Sequence, residues 1–414
     1  MTTDLAPRLA HVVSPLVDEL PVRLRAWDGS EAGPSDAPLV ELRSPQALRR
    51  LLRSPGELGA AQAYVSGDAD LPGDLDTTLG LLMGAGRDAA PGVRPRVRAL
   101  LRALRVAREA ELLGRPPAAP ATQAKIRGRL HSRARDRASI SHHYDLSNEF
   151  YSLILDESMA YSSGYHATPE TPLAEAQRAK LDLIIAKLGL RPGDTLLDVG
   201  CGWGSLTIHA AKKGIRVTGV TIAAEQQRFV QERIDALGLG ELAQVRVCDY
   251  RDATGSYDAV ASVEMGEHVG EGNYPTYAQV LHDRVRPGGH VLVQQMSRTG
   301  RHPGGGPFIE SFIAPDMHMR PVGETVAFLE RAGLELRDVH ALREHYVLTV
   351  AGWLARFESN VDRLTELVGE EMVRVWRLYL VGGGAAFRDG RMGVDQILTV
   401  RPGADHHLPL ARSW

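Results

Sequence analysis

The sequence has little cysteine. Its 414 residues contain two, Cys201 and Cys248, too few for a disulfide framework or a cysteine-rich zinc site and typical of a reducing compartment. Long apolar runs are also missing, since none approaches the roughly 18–20 residues that span a bilayer. The amino-terminal stretch MTTDLAPRLAHVVSPLV is interrupted by prolines and charges, unlike the apolar core of a signal peptide. We therefore expect a cytoplasmic protein.

The length of the chain predicts two domains. The stretch GRPPAAPATQAK, residues 114–125, is rich in proline, alanine and glycine and is typical of a linker. We expect a small, mostly helical domain at 1–113, a basic linker at 114–140 and a larger domain at 141–414.

Strands and helices alternate in the larger domain. Apolar, β-branched runs at 195–200 (TLLDVG) and 216–222 (RVTGVTI) are each followed by a helical pattern, at 205–213 and 223–238. Further strands are expected in VRVCDY, YDAVASVE, HVLVQQMS and VDQILTV, and further helices at 346–368 and 370–387. Alternation of this kind implies parallel βαβ units, so we expect an α/β fold with a doubly wound sheet.

A glycine-rich turn follows the first of these strands. Gly200, Gly202 and Gly204 form a G-x-G-x-G motif between the strand and its helix. Glycines at this place let the backbone approach a ligand at the carboxyl edge of the sheet. The motif alone is weak evidence, because many strand-to-helix turns need glycine for a positive φ.

Polar side chains near the ends of successive strands add weight. Asp198 precedes the first glycine by two residues, where a carboxylate can accept from a cationic amino acid tail. Thr221 and Gln226 follow the second strand and can reach a ribose, and Asp249 follows the third and can accept from an adenine amino group. Together they predict a cofactor site at this edge.

The segment from 94 to 137 is strongly basic, with thirteen Arg or Lys against three acidic residues. One interpretation is a solvated helix face with a flexible arm; the other is attraction to a polyanion. Six apolar residues can share one helical face, as an interfacial helix requires: Val97, Leu100, Leu101, Leu104, Leu112 and Leu113. Aromatic residues that stack on bases are absent there, which favours an anionic membrane surface over nucleic acid.

The stretch EMGEHVG, residues 264–270, places two carboxylates and a histidine within five residues. Its spacing resembles that of metal-binding helices, and it also suits an acid/base pair. A purely structural interpretation is a hydrogen-bonded pair of Glu267 and His268, with Glu264 capping a backbone group. The stretch follows a predicted strand, so it should lie beside the cofactor.

The segment LLDVGCGWGSLTIHAAKKGIRVTGVTIAAEQQRFVQERI resembles the S-adenosylmethionine site of class I methyltransferases. Together with SHHYDLSNEFYSLILDESMAYSSGY (141–165), DYRD, EHVG, Tyr346 and Trp353, it resembles more narrowly the cyclopropane fatty acid synthase family, over about 141–401. The resemblance implies a Rossmann-like catalytic domain, S-adenosylmethionine as cofactor, and a double bond in an unsaturated phospholipid as the methyl acceptor. A homodimer is an expectation by analogy.

The resemblance also implies which residues hold the cofactor. The methionine part belongs near the Tyr-Ser pair and the first strand, the ribose near the second strand, and the adenine near the third. The residues concerned are Tyr161, Ser162, Asp198, Gly200, Gly202, Thr221, Ile222, Gln226, Asp249, Tyr250 and Arg251.

Members of the family that make cyclopropanes are thought to use a bound bicarbonate as the base. Glu267 and Tyr346 match two of its ligands, whereas Ser163 replaces a cysteine and Gln294 a histidine. Neither replacement can carry the charge of an imidazolium. We expect Glu267, beside His268, to position the base or to serve as it. A metal ion would oppose a developing carbocation, so we expect no metal.

The two replacements favour one of the two products open to such a cation. Ring closure with proton loss gives a cyclopropane, and a hydride shift followed by proton loss gives an exocyclic methylene. We favour the methylene product, which a partner reductase would turn into a 10-methyl branch of the tuberculostearic type. The alternatives are cyclopropane formation and, in another class, a soluble small-molecule methyltransferase.

Overall fold

The computed structural model describes most of the chain and divides it into two compact units. The described residues are 4–88, 93–110, 112–114, 117–124, 135, 146–300, 304–412 and 414. The small unit comprises 1–124, 306–312 and 368–385, and the large unit comprises 125–305, 313–367 and 386–414. The chain thus returns twice to the small unit from the range that the sequence assigns to the larger domain. Most of the basic linker, and 141–145 of the family motif, lie outside the described residues.

The small unit is mostly helical and includes a sheet that the sequence did not predict. Its helices are α1 Leu5–Val13, α2 Pro45–Arg53, α3 Glu57–Val65, α4 Leu75–Asp88 and α5 Val93–Glu109, with α11 Pro307–Phe312. Its strands are β1 Arg23–Arg25, β2 Glu31–Ala32, β3 Leu39–Leu42 and β4 Ala69–Asp70, in the order β2-β1-β3-β4. These strands are too short to show a period-2 pattern, so propensity alone does not reveal them.

Helix α5 carries the predicted apolar face. Val97, Leu100, Leu101 and Leu104 are 46%, 58%, 61% and 47% exposed. The prediction fails for Leu112, which is 4% exposed and belongs to the core of the small unit, because the helix ends before it. None of the described helices is long and apolar enough to cross a bilayer.

The described residues of the large unit form a seven-stranded sheet in the order β10-β11-β9-β8-β5-β6-β7. Its strands are β5 Thr195–Val199, β6 Arg216–Thr221, β7 Ala243–Val247, β8 Tyr257–Val263, β9 Val285–Arg298, β10 Glu335–Ala341 and β11 Met392–Val400. β7, β6, β5, β8 and β9 are parallel, whereas β11 is antiparallel to both β9 and β10. The doubly wound α/β prediction is confirmed; the edge strand β10 and the direction of β11 were not predicted.

Helices cover both faces of this sheet. The helices of the large unit are α6 Asn148–Ile154, α7 Leu173–Leu188, α8 Ser205–Lys212, α9 Ala224–Ala236, α10 Tyr274–Arg284, α12 Val322–Arg331 and α13 Arg343–Ser359, together with the ends of α14 Val361–Arg388, whose residues 368–385 belong to the small unit. Alternate residues of β5 enter opposite cores, Leu197 and Val199 one and Leu196 the other, as a strand buried on both faces requires.

The last two helices differ from their predicted bounds. The break expected at residue 369 is a kink inside α14, where Gly369 has φ 79° and ψ 159°. The separation of α13 from α14 falls at Asn360 instead. The predicted third strand also ends early, at Val247, so that Asp249 and Tyr250 lie beyond the strand, at the edge of the sheet.

Candidate active site

The glycine-rich turn at the end of β5 is shaped by contact on one side and openness on the other. A Cβ atom on Gly204 would lie 2.4 Å from Val230 of α9, so only glycine permits this approach of helix and turn. A Cβ on Gly202 would meet nothing within 4 Å. Gly200, Gly202 and Gly204 all have positive φ, at 79°, 52° and 77°. The turn therefore presents bare backbone to a ligand.

A cleft opens at the carboxyl edge of β5, β6, β7 and β8. Most of the predicted cofactor residues line it, and so does His268. The lining residues are Gly200, Gly202, Val220, Thr221, Ile222, Gln226, Cys248, Asp249, Tyr250, Arg251, Glu264, Met265, His268 and Val269. Such a cleft fits an adenosine, because the adenine packs against apolar walls while its amino group and the ribose hydroxyls need polar partners.

The predicted ribose and adenine residues are held by bonds among themselves. The Thr221 hydroxyl donates to Gln226 Oε1 at 2.9 Å. Asp249 accepts from the backbone N–H of Arg251 at 3.0 Å and from its guanidinium at 2.7 Å. These contacts fix the side chains before a ligand binds, which favours tight binding.

Asp198 and Ser162, which the family resemblance assigns to the methionine part of the cofactor, are not among the residues that line the cleft. Asp198 is 2% exposed and accepts from the Thr207 hydroxyl at 2.8 Å; burial raises the pKa of its carboxyl to about 6. The Ser162 hydroxyl accepts from Lys180 Nζ at 2.8 Å. Burial lowers the pKa of the Lys180 ammonium to about 8.

Lys180 is a residue that the sequence analysis missed. It lies in α7. Gln177 of the same helix also contacts Ser162, since its Nε2 donates to the Ser162 backbone carbonyl at 2.8 Å. Lysine and glutamine three residues apart share one helical face. The signal was a lysine directly before the largely apolar run LDLII, 181–185, a position where a charge is rarely buried without a partner.

Tyr161 and Tyr346 belong to one aromatic wall. The Tyr161 ring lies 5.2 Å from Trp353, and the Tyr346 ring lies 5.8 Å from the same indole. Trp353 is 1% exposed, so this wall is dry on the protein side.

Glu264 is the point at which three predicted catalytic residues meet. Its Oε1 accepts from the backbone N–H of Ser163 and from Gln294 Nε2, each at 2.9 Å, and its Oε2 accepts from the Tyr346 hydroxyl at 2.6 Å. Gln294 in turn accepts from Gln396 Nε2 at 3.0 Å, which fixes the orientation of its amide. From the sequence, Glu264 is one of the two carboxylates of EMGEHVG, with capping as its structural interpretation, and it is not among the expected catalytic residues.

Glu267 lies apart from this group. It is fully buried and accepts from the backbone N–H of Met296. Burial, reinforced by the nearby Glu264 charge, raises the pKa of Glu267 to about 8. Its Oε2 atom has no hydrogen-bond partner among the residues that the structure describes. At neutral pH this carboxyl therefore holds a proton.

No three His, Cys, Asp or Glu side chains of the described part of the chain come together as metal ligands. The residues of EMGEHVG instead take different places: Glu264 and His268 line the cleft, Glu264 is also hydrogen-bonded, and Glu267 is buried.

Comparison with known proteins places these features in a family. The profile described as mycolic acid cyclopropane synthetase matches residues 131–397. A probable fatty acid methyltransferase of Mycobacterium tuberculosis is 37% identical over 412 residues, which is 95% of each chain. The tuberculostearic acid methyltransferase of the same organism is 34% identical, over 93% of this chain and 88% of its own. The cyclopropane-fatty-acyl-phospholipid synthase of Escherichia coli is 35% identical, over 65% and 69%.

A solved structure agrees. The mycolic acid cyclopropane synthase CmaA1, complexed with S-adenosylhomocysteine and CTAB, superposes with a TM-score of 0.61 and 30% identity, over 64% of this chain and 98% of its own. The resemblance inferred from the sequence is confirmed, and with it the class I fold and the cofactor. This chain belongs to the mycolic acid cyclopropane synthetase family and is an S-adenosylmethionine-dependent methyltransferase.

Proposed function

We propose that this enzyme methylates the cis double bond of an unsaturated acyl chain in a membrane phospholipid and forms a methylene-branched chain. The observation that carries the proposal is the group around Glu264, in which Gln294 and Ser163 bind one carboxylate beside the cofactor cleft. The match to a tuberculostearic acid methyltransferase over 93% of the chain supports the same product.

The chemistry asks for a positioned proton acceptor and little else. S-adenosylmethionine, when bound, supplies an electrophilic methyl group. The alkene's π electrons form the new carbon–carbon bond, which leaves a cation on the neighbouring carbon. A hydride shift moves the cation to the methyl-bearing carbon. Loss of a proton from that methyl then leaves its electron pair as the double bond of the methylene branch.

The protein's share is shape and electrostatics. The aromatic wall of Tyr161, Trp353 and Tyr346 supplies ring faces that tolerate a nearby cation, an effect of about 0.5–2 kcal/mol for each well-placed ring. Trp353 and Tyr346 are buried and keep water from this side of the site, which protects the cation from capture.

Helix α5 is the proposed contact with the membrane. Its exposed apolar residues span about 100° of the helix, at 3.6 residues per turn. Arg94, Arg98 and Arg105 are exposed on the same helix. This charge complements an anionic bilayer, and each basic residue near such a surface contributes about 1 kcal/mol. An anionic phospholipid surface is therefore the proposed occupant, and the enzyme would act there peripherally.

Cyclopropane formation is the second candidate, and the family match supports it directly. The two routes differ only after the first cation has formed. In this route no hydride shift occurs, and the electrons of a methyl C–H bond close the ring. The two products have the same mass, so mass alone does not separate them.

The test uses methyl-labelled S-adenosylmethionine and vesicles of a phospholipid with one cis double bond per chain. The released acyl chains are analysed by proton NMR. We expect the signals of vinylidene protons. Upfield signals of ring protons would instead show that the product is a cyclopropane. Absence of label in lipid, with methylation of a small soluble acceptor, would overturn both.

The membrane proposal is tested separately, by cosedimentation with vesicles that contain phosphatidylglycerol. We expect the double variant Leu100→Gln, Leu101→Gln to bind at least about 10-fold more weakly, because burying each leucine contributes about 1.5–3 kcal/mol. The control is Leu237→Gln, an equally drastic change at a leucine of the large unit that is 46% exposed. Equal binding by all three proteins would contradict the proposal.

A further inference from the structure

The family resemblance implies a bicarbonate beside the reacting carbons, held here by Ser163, Gln294, Tyr346 and Glu267. The structure lets us ask whether these residues fit an added anion. They do not. The Ser163 backbone N–H, Gln294 Nε2 and the Tyr346 hydroxyl donate to the Glu264 carboxylate, and the Ser163 hydroxyl donates to the Gly164 carbonyl at 3.0 Å. A bicarbonate would have to displace a carboxylate of the protein or share its donors with it, with two negative charges in contact.

The Glu264 carboxylate is held as a bound anion would be. A carboxylate offers about four lone-pair positions; two on Oε1 and one on Oε2 are filled, at 2.9 Å, 2.9 Å and 2.6 Å. One position on Oε2 remains for a proton. Glu264 also lines the cofactor cleft, and its partner Ser163 is next to Ser162 of the methionine end.

The backbone at Glu264 is set for this position. It has φ +51°, in the left-handed region that costs free energy for a residue with a Cβ. Val263, the last residue of β8, pairs with Gln294 of β9, and the Glu264 N–H donates to the Gln294 carbonyl at 2.6 Å. The strained turn at the strand end therefore directs the carboxylate toward Gln294 of β9 and toward Tyr346.

We propose that the Glu264 carboxylate is the base of this enzyme and takes the place of bicarbonate. The inference rests on the proposed lipid chemistry. A C–H bond of the transferred methyl breaks, its proton goes to Glu264 Oε2, and its electron pair forms the new carbon–carbon bond. The carboxylic acid then loses the proton to water, so no co-reactant is needed.

Two features of the site support this role. Burial raises the pKa of Glu264 above its ordinary value, which makes its carboxylate a better proton acceptor. Lys180 lies within electrostatic reach and favours the charged form. Glu267, the base expected from the sequence, holds its own proton at neutral pH and makes no hydrogen bond to Ser163, Gln294 or Tyr346 within the described part of the chain.

The experiment measures label transfer to lipid by the full-length enzyme, in buffer freed of carbon dioxide and again with added bicarbonate. The first variant is Glu264→Gln, which keeps the shape of the side chain but removes the base. The second is Glu264→Gly, which leaves the donors of Ser163, Gln294 and Tyr346 without this acceptor and suits the positive φ. Glu330→Gln makes the same chemical change at an exposed carboxyl of α12. Binding of S-adenosylhomocysteine by each variant, measured by calorimetry, shows whether the cleft is intact.

We expect the wild type to be indifferent to bicarbonate and Glu264→Gln to lose at least about 100-fold in rate, as general-base removal does, with cofactor affinity retained. Added bicarbonate or formate should restore part of the activity of Glu264→Gly. The inference is overturned if the wild type needs bicarbonate, or if Glu264→Gln works at the wild-type rate. A wild type that labels no lipid at all would overturn the proposed function instead.

Discussion

Lys180 carries an ammonium group into the interior of the large unit, where its side chain is fully buried. Three carboxylates, of Glu264, Asp156 and Asp198, favour its charge, and desolvation opposes it. A lone buried charge is costly, whereas one paired in this way is retained. By donating to Ser162, Lys180 orients the segment from Tyr161 to Ser163. We infer that it positions the site rather than touching the substrate.

Tyr346 offers a direct test of the hydrogen bonds to Glu264. Tyr346→Phe removes the 2.6 Å bond to Oε2 and keeps the ring. Because a bond to a charged group contributes about 1.5–3 kcal/mol, we expect kcat for lipid methylation to fall about 10- to 100-fold. The KM for S-adenosylmethionine should change little, since Tyr346 does not line the cleft.

The control for this change is Tyr257→Phe, which removes a 3.1 Å bond to the Thr254 carbonyl at the far end of β8. Steady-state kinetics of both variants decide the matter. A rise in KM with kcat intact would place Tyr346 in cofactor binding instead.

Glu267 predicts a pH dependence of stability. The folded protein keeps the Glu267 proton up to about pH 8, whereas the unfolded chain loses it near its ordinary pKa of about 4.3. The folded state thus binds more protons between these values, and rising pH favours unfolding, by up to about 1.4 kcal/mol per pH unit from this group.

Urea denaturation of the wild type and Glu267→Gln at several pH values measures this contribution. We expect the free energy of unfolding of the wild type to fall, relative to the variant, as the pH rises from about 5 to about 8. Parallel curves would show that Glu267 ionises normally. Glu330→Gln, at an exposed position, should leave the curve unchanged.

Within α14, two glycines separate backbone conformation from packing. Gly369 has φ 79° and ψ 159°, while Gly383 is helical, and a Cβ on either would meet nothing within 4 Å. We expect Gly369→Ala to lower the free energy of unfolding by about 1–3 kcal/mol, because that conformation is almost confined to glycine. Gly383→Ala should raise it by about 0.5–1 kcal/mol. Urea unfolding of both variants checks the opposite signs; a loss of the same size in both would show that packing decides.

Among the described strands of the large unit, β10 was not predicted from the sequence, whereas the others were. The sequence ELRDVHA of the edge strand β10 breaks the polar–apolar alternation at the adjacent Arg337 and Asp338, where its register with β11 also shifts, so the period-2 signal of a strand is interrupted. VDQILTV predicted β11, but its antiparallel pairing with β9 depends on where α14 delivers the chain.

For the protein as a whole, the division into two units predicts how the cofactor product stabilises it. The lining residues of the cleft all belong to the large unit. S-adenosylhomocysteine at about 100 times its Kd should therefore stabilise that unit by about 2.7 kcal/mol. In thermal unfolding we expect the transition of the large unit to rise and that of the small unit to stay.

Asp198→Ala is the variant for this test, since Asp198 belongs to the large unit and is predicted to lie near the methionine part of the cofactor. Its transition should rise less than that of the wild type at the same ligand concentration. A shift of both transitions by the same amount would mean that the two units unfold as one.

Local patterns were enough to establish the fold class and the cofactor of this chain. Apolar periodicity predicts β5, β6 and β8, and the turn from Gly200 to Gly204 predicts a ligand at their carboxyl edge, because strand and turn signals reside in adjacent residues. Which carboxylate of EMGEHVG meets the predicted catalytic residues was decided by tertiary structure alone. Glu264 meets Ser163, Tyr346 and Gln294 from positions 101, 82 and 30 residues away. Such meetings depend on strand register and burial, and burial also raises the pKa of Glu267 to about 8.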